Sequence, residues 1–345
     1  MTQTQRKIRI RAESHRLTKP FTISRGHKNT ADVVVVEIND GTRIGRGECV
    51  PYGRYGETLE SVTAEIESIK PMLEGISNKL SHTFTRDDLQ TAMHPGAARN
   101  AIDCALWDLE AQQSGLTVPD RLGLLPQPLP SAVTITLDTP ARMAQAAKQL
   151  LNKNSEKKQL LKVKLGGEDG FAADIGRLGA IRDAAPEAKL IVDVNEGWHP
   201  HDIISHVDAL KSFNIDLIEQ PLPAHNDDIL KDIDLPFCAD ESVHDSDDLN
   251  HLNSGYDCVN IKLDKTGGLT EALKMLQLAR EKNLKVMVGC MVASSLSMMP
   301  AYFLGLQADY VDLDGPIWLE KDRENGLHFT HDQIALPTKP LWGWN

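Results

Sequence analysis

The chain has 345 residues, 41% hydrophobic and 25% charged, with a formal charge of −12 at pH 7. That length exceeds one average domain and is enough to bury a sizeable core. The negative charge argues against nucleic acid or an anionic membrane as partner, and no stretch approaches the roughly 18 apolar residues of a membrane helix.

The first residues, MTQTQRKIRIRAES, are too polar for a secretory signal. The five cysteines (Cys49, Cys104, Cys238, Cys258, Cys290) are odd in number, scattered and without a CxxC pair. They predict free thiols in a reducing cytoplasm. In chain order, short strands are expected at Lys7–Ala12, Ala31–Ile38 and Arg43–Cys49, then helices at Thr58–Leu73, Arg86–Met93 and Ala97–Ser114. Strands followed by helices describe an α+β domain over residues 1–127. In the last helix Trp107, with Ile102, Leu106 and Leu109, belongs to the core by its spacing. Pro126–Pro130 (PQPLP) reads as a linker.

From residue 128 the texture changes. Eight short apolar runs alternate with helical stretches: AVTITL, LLKVKL, KLIVDVN, IDLIEQP, PFCADES, DCVNIKL, LKVMVGCM and ADYVDLD. Most are apolar on both alternating faces, as parallel strands covered on two sides must be. Eight such units predict an α/β fold with a TIM-like (β/α) barrel over residues 128–316. An open doubly wound sheet is the rival, but no glycine-rich dinucleotide loop follows the first strand. The eighth run has no clear helix after it. The tail, residues 317–345, is turn- and tryptophan-rich and is expected to pack back on the first domain.

Charged residues end the barrel strands in order. The second strand reads Leu161-Lys162-Val163-Lys164, and residues two apart share a face. Later strands end at Asp193, Glu219, Asp240 and Lys262, at steps of 29, 26, 21 and 22 residues from Lys164. One strand-ending carboxylate is commonly a cap or a loop residue. Five charged groups on successive strands converge on one rim. Three carboxylates without cations repel, so the site calls for a metal, and oxygen-only ligands select a hard ion such as Mg²⁺. Lysines on strands two and six flank it. The arrangement suits abstraction of a proton α to a carboxylate, with the metal stabilising the enolate. A lysine, with an ordinary pKa of about 10.4, becomes an available base where a metal, a second ammonium and desolvation disfavour its charge.

The runs LKVKLGG, DVNEGW, IEQPL, ADES and NIKLDKTGG resemble the muconate-lactonizing-enzyme subgroup of the enolase superfamily over essentially the whole chain. The resemblance implies an N-terminal capping domain over the barrel. It also implies Asp193, Glu219 and Asp240 as Mg²⁺ ligands and Lys164 and Lys262 as the acid/base pair. Lys162 would tune Lys164 or meet the substrate carboxylate, and Lys265 would have an anchoring role. Strand eight reads Asp312-Leu313-Asp314, which resembles the dipeptide epimerases, where such a pair holds the substrate amine; a barrel-end turn is the plainer reading. PYGRYGET and GCMVASSLSM resemble the same group.

The cap is expected to close the barrel mouth with loops, Phe21–Lys28 (FTISRGHK) among them. Arg25 there resembles the basic residue that pairs with a glutamate side chain in L-Ala-D/L-Glu epimerases, and Arg54 could serve instead. Thr134 and Thr136 either line the pocket or satisfy backbone. The expected partner is a small dipeptide, with self-association left open. A lyase of the o-succinylbenzoate synthase or cycloisomerase kind is the alternative, and the Asp312/Asp314 pair discriminates against it. A non-catalytic binding barrel would have no use for the lysines and carboxylates.

Overall fold

The computed structural model describes residues 6–76, 82–151, 159–330 and 333–344. Residues 1–5 and 345, the outer ends of the expected cap and tail, lie outside it. The N-terminal part is an antiparallel sheet of β1 (Lys7–Ile23), β2 (Gly26–Asn39) and β3 (Ile44–Cys49). It is covered by α1 (Leu59–Leu73), α2 (Arg86–Ala92) and α3 (Ala97–Ser114). The first two helices start where Thr58 and Thr85 cap them, each in a reciprocal box with Ser61 or Asp88. The valine run of β2 is buried on both faces. Val34 and Val36 meet Val62, Ile66 and Leu106 of the cap, while Val33 and Val35 join the barrel's core. Helix α3 lies directly on β3: a Cβ at Gly47 would stand 2.0 Å from the carbonyl oxygen of Ala101, so only glycine permits that approach.

Two expectations are corrected here. Strand β1 runs on to Ile23 and β2 begins at Gly26, pairing Phe21 with Lys28, Thr22 with His27 and Ile23 with Gly26. Phe21–Lys28 is therefore a hairpin tip rather than a loop. Backbone pairing holds it, and that needs no apolar alternation. Past α4 (Val118–Leu122), the supposed linker contains β4 (Leu129–Pro130), which pairs with β14 (Gln333–Ala335) of the tail.

The barrel strands are β5 (Val133–Ile135), β6 (Leu160–Lys164), β7 (Lys189–Asp193), β8 (Leu217–Glu219), β9 (Phe237–Ala239), β10 (Cys258–Ile261), β11 (Lys285–Val288) and β12 (Tyr310–Val311). They pair in sequence order, all parallel. The amide of Ala132 donates to Val311 O at 2.7 Å and brings the two ends of the sheet together. Helices α5 (Pro140–Leu150), α6 (Phe171–Ala184), α7 (Pro200–Ser205) and α8 (Val207–Ser212) cover the first strands. After β8 there is only a 3₁₀ turn, Asp228–Asp232, and after β9 only the single turn α9 (Asp248–His251). Then come α10 (Leu263–Thr266), α11 (Leu269–Glu281) and α12 (Ser295–Gly305).

After β12 a 3₁₀ turn, Gly315–Trp318, leads to β13 (His328–Phe329) and β14. This tail bonds to the cap. Glu320 N donates to Arg16 O, Trp342 Nε1 to Cys104 O at 3.0 Å, and Gly343 N to Asp108 Oδ1 at 2.8 Å. All five cysteines are free. Among the described residues no helix is long and apolar enough to cross a membrane.

Candidate active site

The period-two rule sets up the barrel interior. Its floor is Leu160, Ile191, Leu217, Cys238, Cys258, Met287 and Tyr310, an apolar cluster. Two residues further along the same strands stand Lys162, Asp193, Glu219, Asp240, Asn260 and Asp312. Gly289 occupies that level on the seventh strand because a Cβ there would meet Asn260 Oδ1 at 2.5 Å. Above this layer opens a cavity of about 300 Å³ between barrel and cap. Lys164 and Lys262 line it, with 7% and 6% of their surface exposed. They belong to the second and sixth of eight strands, so they face each other across the mouth.

The charges interlock. Lys164 Nζ lies 2.5 Å from Asp193 Oδ2 and 3.3 Å from Asn195 Oδ1. Lys262 Nζ lies 2.5 Å from Asp240 Oδ2 and 3.7 Å from Glu219 Oε1. Lys162, one layer deeper, stands 2.7 Å from Asp312 Oδ2, 2.8 Å from Glu219 Oε2 and 3.0 Å from Asp193 Oδ2. Lys265 is fully enclosed and donates to Asp240 Oδ1 and to the carbonyls of Asp240, Val243 and Asn260. Lys265 thus binds one oxygen of Asp240, Oδ1, and Lys262 the other, Oδ2.

Burial opposes ionisation of every group here. In Asp193 the burial is outweighed by Lys164 and Lys162, and in Asp240 by Lys262 and Lys265, so both carboxyls lie below their usual range. Glu219, buried and beside Asp193, is pushed up to about 7. Lys262 departs from the expectation of a disfavoured charge. Burial lowers its pKa, but Asp240 and Glu219 outweigh burial and hold it well above the ordinary value. The same balance, led on the raising side by Asp312, holds for Lys162.

The carboxylates of Asp193, Glu219 and Asp240 end three neighbouring strands, with Asp193 level with Glu219 and Glu219 level with Cys238. Among the described residues no three acidic, His or Cys groups form a ready ligand cage, because ammonium groups lie between the carboxylates. The donor set nonetheless fits a hard divalent cation. It is all oxygen and fully buried, and Glu219 Oε2 makes no hydrogen bond despite its closeness to Lys162.

Opposite these strands lie Asp312 and Asp314. Both line the cavity, and Asp312 Oδ1 is buried without a hydrogen-bond partner. Asp314 Oδ2 accepts from Thr134 N at 2.8 Å and Trp318 Nε1 at 3.3 Å. Burial and then Asp312 push its carboxyl up to about 6. Thr134 lines the cavity. Thr136, one residue past β5, is half-buried and lies outside the lining.

From the cap, Arg25 and Arg54 both reach the cavity. Arg25 donates to Asn195 O, Tyr52 OH and Glu241 Oε1, at 2.9, 3.1 and 2.8 Å, and lies 3.3 Å from Glu196 Oε2. Arg54 grips both oxygens of Glu196, at 2.8 and 2.9 Å. Sequence reasoning missed Asn195, Glu196, Glu241 and Asn260, which donates to Glu219 Oε1 at 2.7 Å. The signal was available in part. Asn195 follows Asp193 by two and Asn260 precedes Lys262 by two, so each shares an inward face with a residue already singled out.

Residues 5–123 match the mandelate racemase/muconate lactonizing enzyme N-terminal domain, and residues 142–344 match the enolase C-terminal domain-like family. The chain belongs to the enolase superfamily. An L-Ala-D/L-Glu epimerase of Escherichia coli (strain K12) is 42% identical, covering 96% of this chain and 100% of the relative. An N-acetyl-D-glutamate racemase of Pseudoalteromonas sp is also 42% identical, over 90% of this chain and 95% of that protein. Among solved structures, an enolase family member from Agrobacterium tumefaciens with homology to dipeptide epimerases, with bound sodium and L-Ala-L-Glu, superposes with a TM-score of 0.89. It is 46% identical and covers 98% of this chain and 100% of its own. The dipeptide epimerase of Enterococcus faecalis V583, complexed with Mg and L-Leu-L-Tyr, gives 0.87 at 29% identity, covering 98% of each. Within its superfamily the chain stands with the racemases and epimerases.

Proposed function

We propose that the chain epimerises dipeptides of the L-Ala-D/L-Glu kind at the α-carbon of the C-terminal residue. The observation that carries this reading is the compass of the mouth: lysines on strands two and six, carboxylates on three to five, and the aspartate pair on eight. A dipeptide laid across it has its carboxylate toward strands three to five and its ammonium toward Asp312 and Asp314. The α-carbon beside the carboxylate then lies between Lys164 and Lys262. One lysine, as the free amine, takes the α-proton. The other, as ammonium, returns a proton to the opposite face, and the stereocentre inverts. Lys262, paired with Asp240 and Glu219, is placed to donate as the ammonium in one direction, and in the other direction the two lysines exchange roles. Asp193, Glu219 and Asp240 would hold Mg²⁺, which supplies Lewis-acid stabilisation of the charge that develops on the substrate carboxylate.

Arg25 supports an acidic C-terminal side chain. Its partners Glu196 and Glu241 are carboxylates, so a substrate carboxylate offers it an equivalent bond. A second reading, racemisation of an N-acylated glutamate, is favoured by the Pseudoalteromonas relative. The aspartate pair weighs against it, because an acylated nitrogen has no positive charge to clamp. A dipeptide library in D₂O that includes N-acetylglutamate, read by mass spectrometry, tests both. The expected result is deuterium at the C-terminal α-carbon, led by Ala-Glu, with N-acetylated compounds poor. Equal turnover of free and acylated compounds removes the clamp. Arg25→Ala is expected to reduce the preference for Ala-Glu over Ala-Gln by roughly ten- to a hundredfold, the loss of one charge-assisted contact of about 1.5–3 kcal/mol.

A further inference from the structure

The two lysines are built into the molecule differently. Lys262 is followed at once by α10, whose Lys265 and Thr266 amides both donate to Lys262 O, at 2.9 and 3.0 Å. That single turn is one place where the cap docks. Asp264 Oδ1 accepts from Asn100 Nδ2 of α3 at 2.8 Å and from Val50 N at 3.0 Å. Arg99, also on α3, donates through Nη2 to Thr266 O at 2.7 Å and through Nε to Gly267 O at 3.2 Å. One turn further along α3, Asp103 accepts from the amide and hydroxyl of Thr270. Arg99, Asn100, Asp103, Asp264 and Thr266 are buried. Val50 in turn leads into Tyr52 and Tyr55, which line the same cavity as Lys262.

Lys164 has no such seam. The amide after it, Leu165 N, donates to Asp193 O, and Gly166 N donates to Asp174 Oδ2, which also accepts from Trp198 Nε1. Those partners all belong to the barrel. The cap reaches this side with side chains at the mouth: Ser24 and Arg25 on the backbone oxygen of Asn195, and Arg25 and Arg54 on Glu196, none of them on the backbone that carries Lys164.

We infer that Asp264 is a positioning residue for Lys262 alone: by fastening α10 to Asn100 and Val50, it makes the seating of α3 on the barrel set the reach of one lysine and not the other. It touches no reacting atom. It acts through the turn that holds the Lys262 backbone, and a small misplacement of a catalytic group from a distance costs up to about a hundredfold. The inference rests on the two-lysine reading above and gives the cap a second task besides covering the mouth.

The test is face-resolved exchange of the α-proton in D₂O, on the full chain with Mg²⁺, starting from each epimer of Ala-Glu separately. Lys164→Ala and Lys262→Ala first assign which epimer each lysine exchanges. Asp264→Ala is then expected to slow exchange of the Lys262-dependent epimer by about ten- to a hundredfold and to leave the other near wild type. Asp264→Asn, whose amide oxygen can still accept both bonds, is expected to restore most of the loss. Should Asp264→Ala fail to fold, Asn100→Ala carries the test: it leaves the Val50 bond and is expected to show the same asymmetry, smaller. Equal loss from both epimers, or no loss from either, overturns the proposal while the two-lysine reading stands. If the lysine variants themselves show no division by epimer, the two-lysine reading fails, and this inference with it.

Discussion

The floor and the mouth of the barrel are made by the same strands, two residues apart, and share almost no chemistry. At the floor Ile191, Leu217, Cys238 and Met287 form one apolar cluster without a charged member. At the mouth Asp193, Glu219, Asp240 and three lysines are as deeply enclosed and survive burial only by pairing, since an unpaired buried charge is costly. Substitutions at the floor should therefore move stability and spare chemistry, while those at the mouth do the reverse.

The largest effect is expected from the carboxylates. Asp193→Asn, Glu219→Gln or Asp240→Asn is expected to reduce epimerisation to background, and so is exhaustive chelation of the wild-type protein, reversed by added Mg²⁺. Full activity after chelation would sink the metal assignment. Next come the lysines. Lys164→Ala and Lys262→Ala are each expected to stop interconversion while one variant still exchanges the α-proton of one epimer and the other that of the opposite epimer. If Lys262→Ala still interconverts epimers and Lys265→Ala does not, the strand-six assignment is wrong.

At the floor, Leu217→Ala is expected to cost about 2–5 kcal/mol of stability, read from denaturant midpoints, with kcat near wild type below the melting range. A large fall in kcat of the folded variant would blur the division between the two layers.

The smallest effect concerns pH at the cap seam. Burial pushes the carboxyl of Asp264 up to about 7 and that of Asp103 up to about 6. A carboxyl whose folded pKa is raised contributes stability that is whole below its unfolded pKa, near 4, and lost as the pH climbs through the folded value. Asp264→Asn is therefore expected to gain on wild type as the pH rises from about 4 to about 7, at no more than about 1.4 kcal/mol for each step of one in pH. Melting curves at the two ends of that window check it, and a pH-independent difference would contradict it.

The layering also explains what could be read from sequence. In β6 and β7 a charged residue inside an apolar run has one plausible direction to point, so Lys162, Lys164 and Asp193 stood out. The hairpin tip carrying Arg25 did not, because β1 is exposed along much of both faces and presents no alternation to read. Leu129–Pro130 pairs with Ile334 and Gln333, too few residues and too distant in sequence for a periodic signal. Glu241 was passed over as the neighbour of Asp240. Its pairing with Arg25 depends on where the cap sits, which no local pattern encodes.

The tail's return to α3 has a consequence for the order in which the protein can be finished. The carbonyl of Cys104 and the carboxylate of Asp108 are buried in the cap, yet their partners are Trp342 and Gly343. A ribosome delivers the cap's strands and helices first and these two residues more than two hundred positions later. Until then the side of α3 that carries Cys104 and Asp108 lacks its covering Trp342, and exposed apolar surface on a nascent chain invites aggregation. The cap of this protein is completed by residues more than two hundred positions further along the chain.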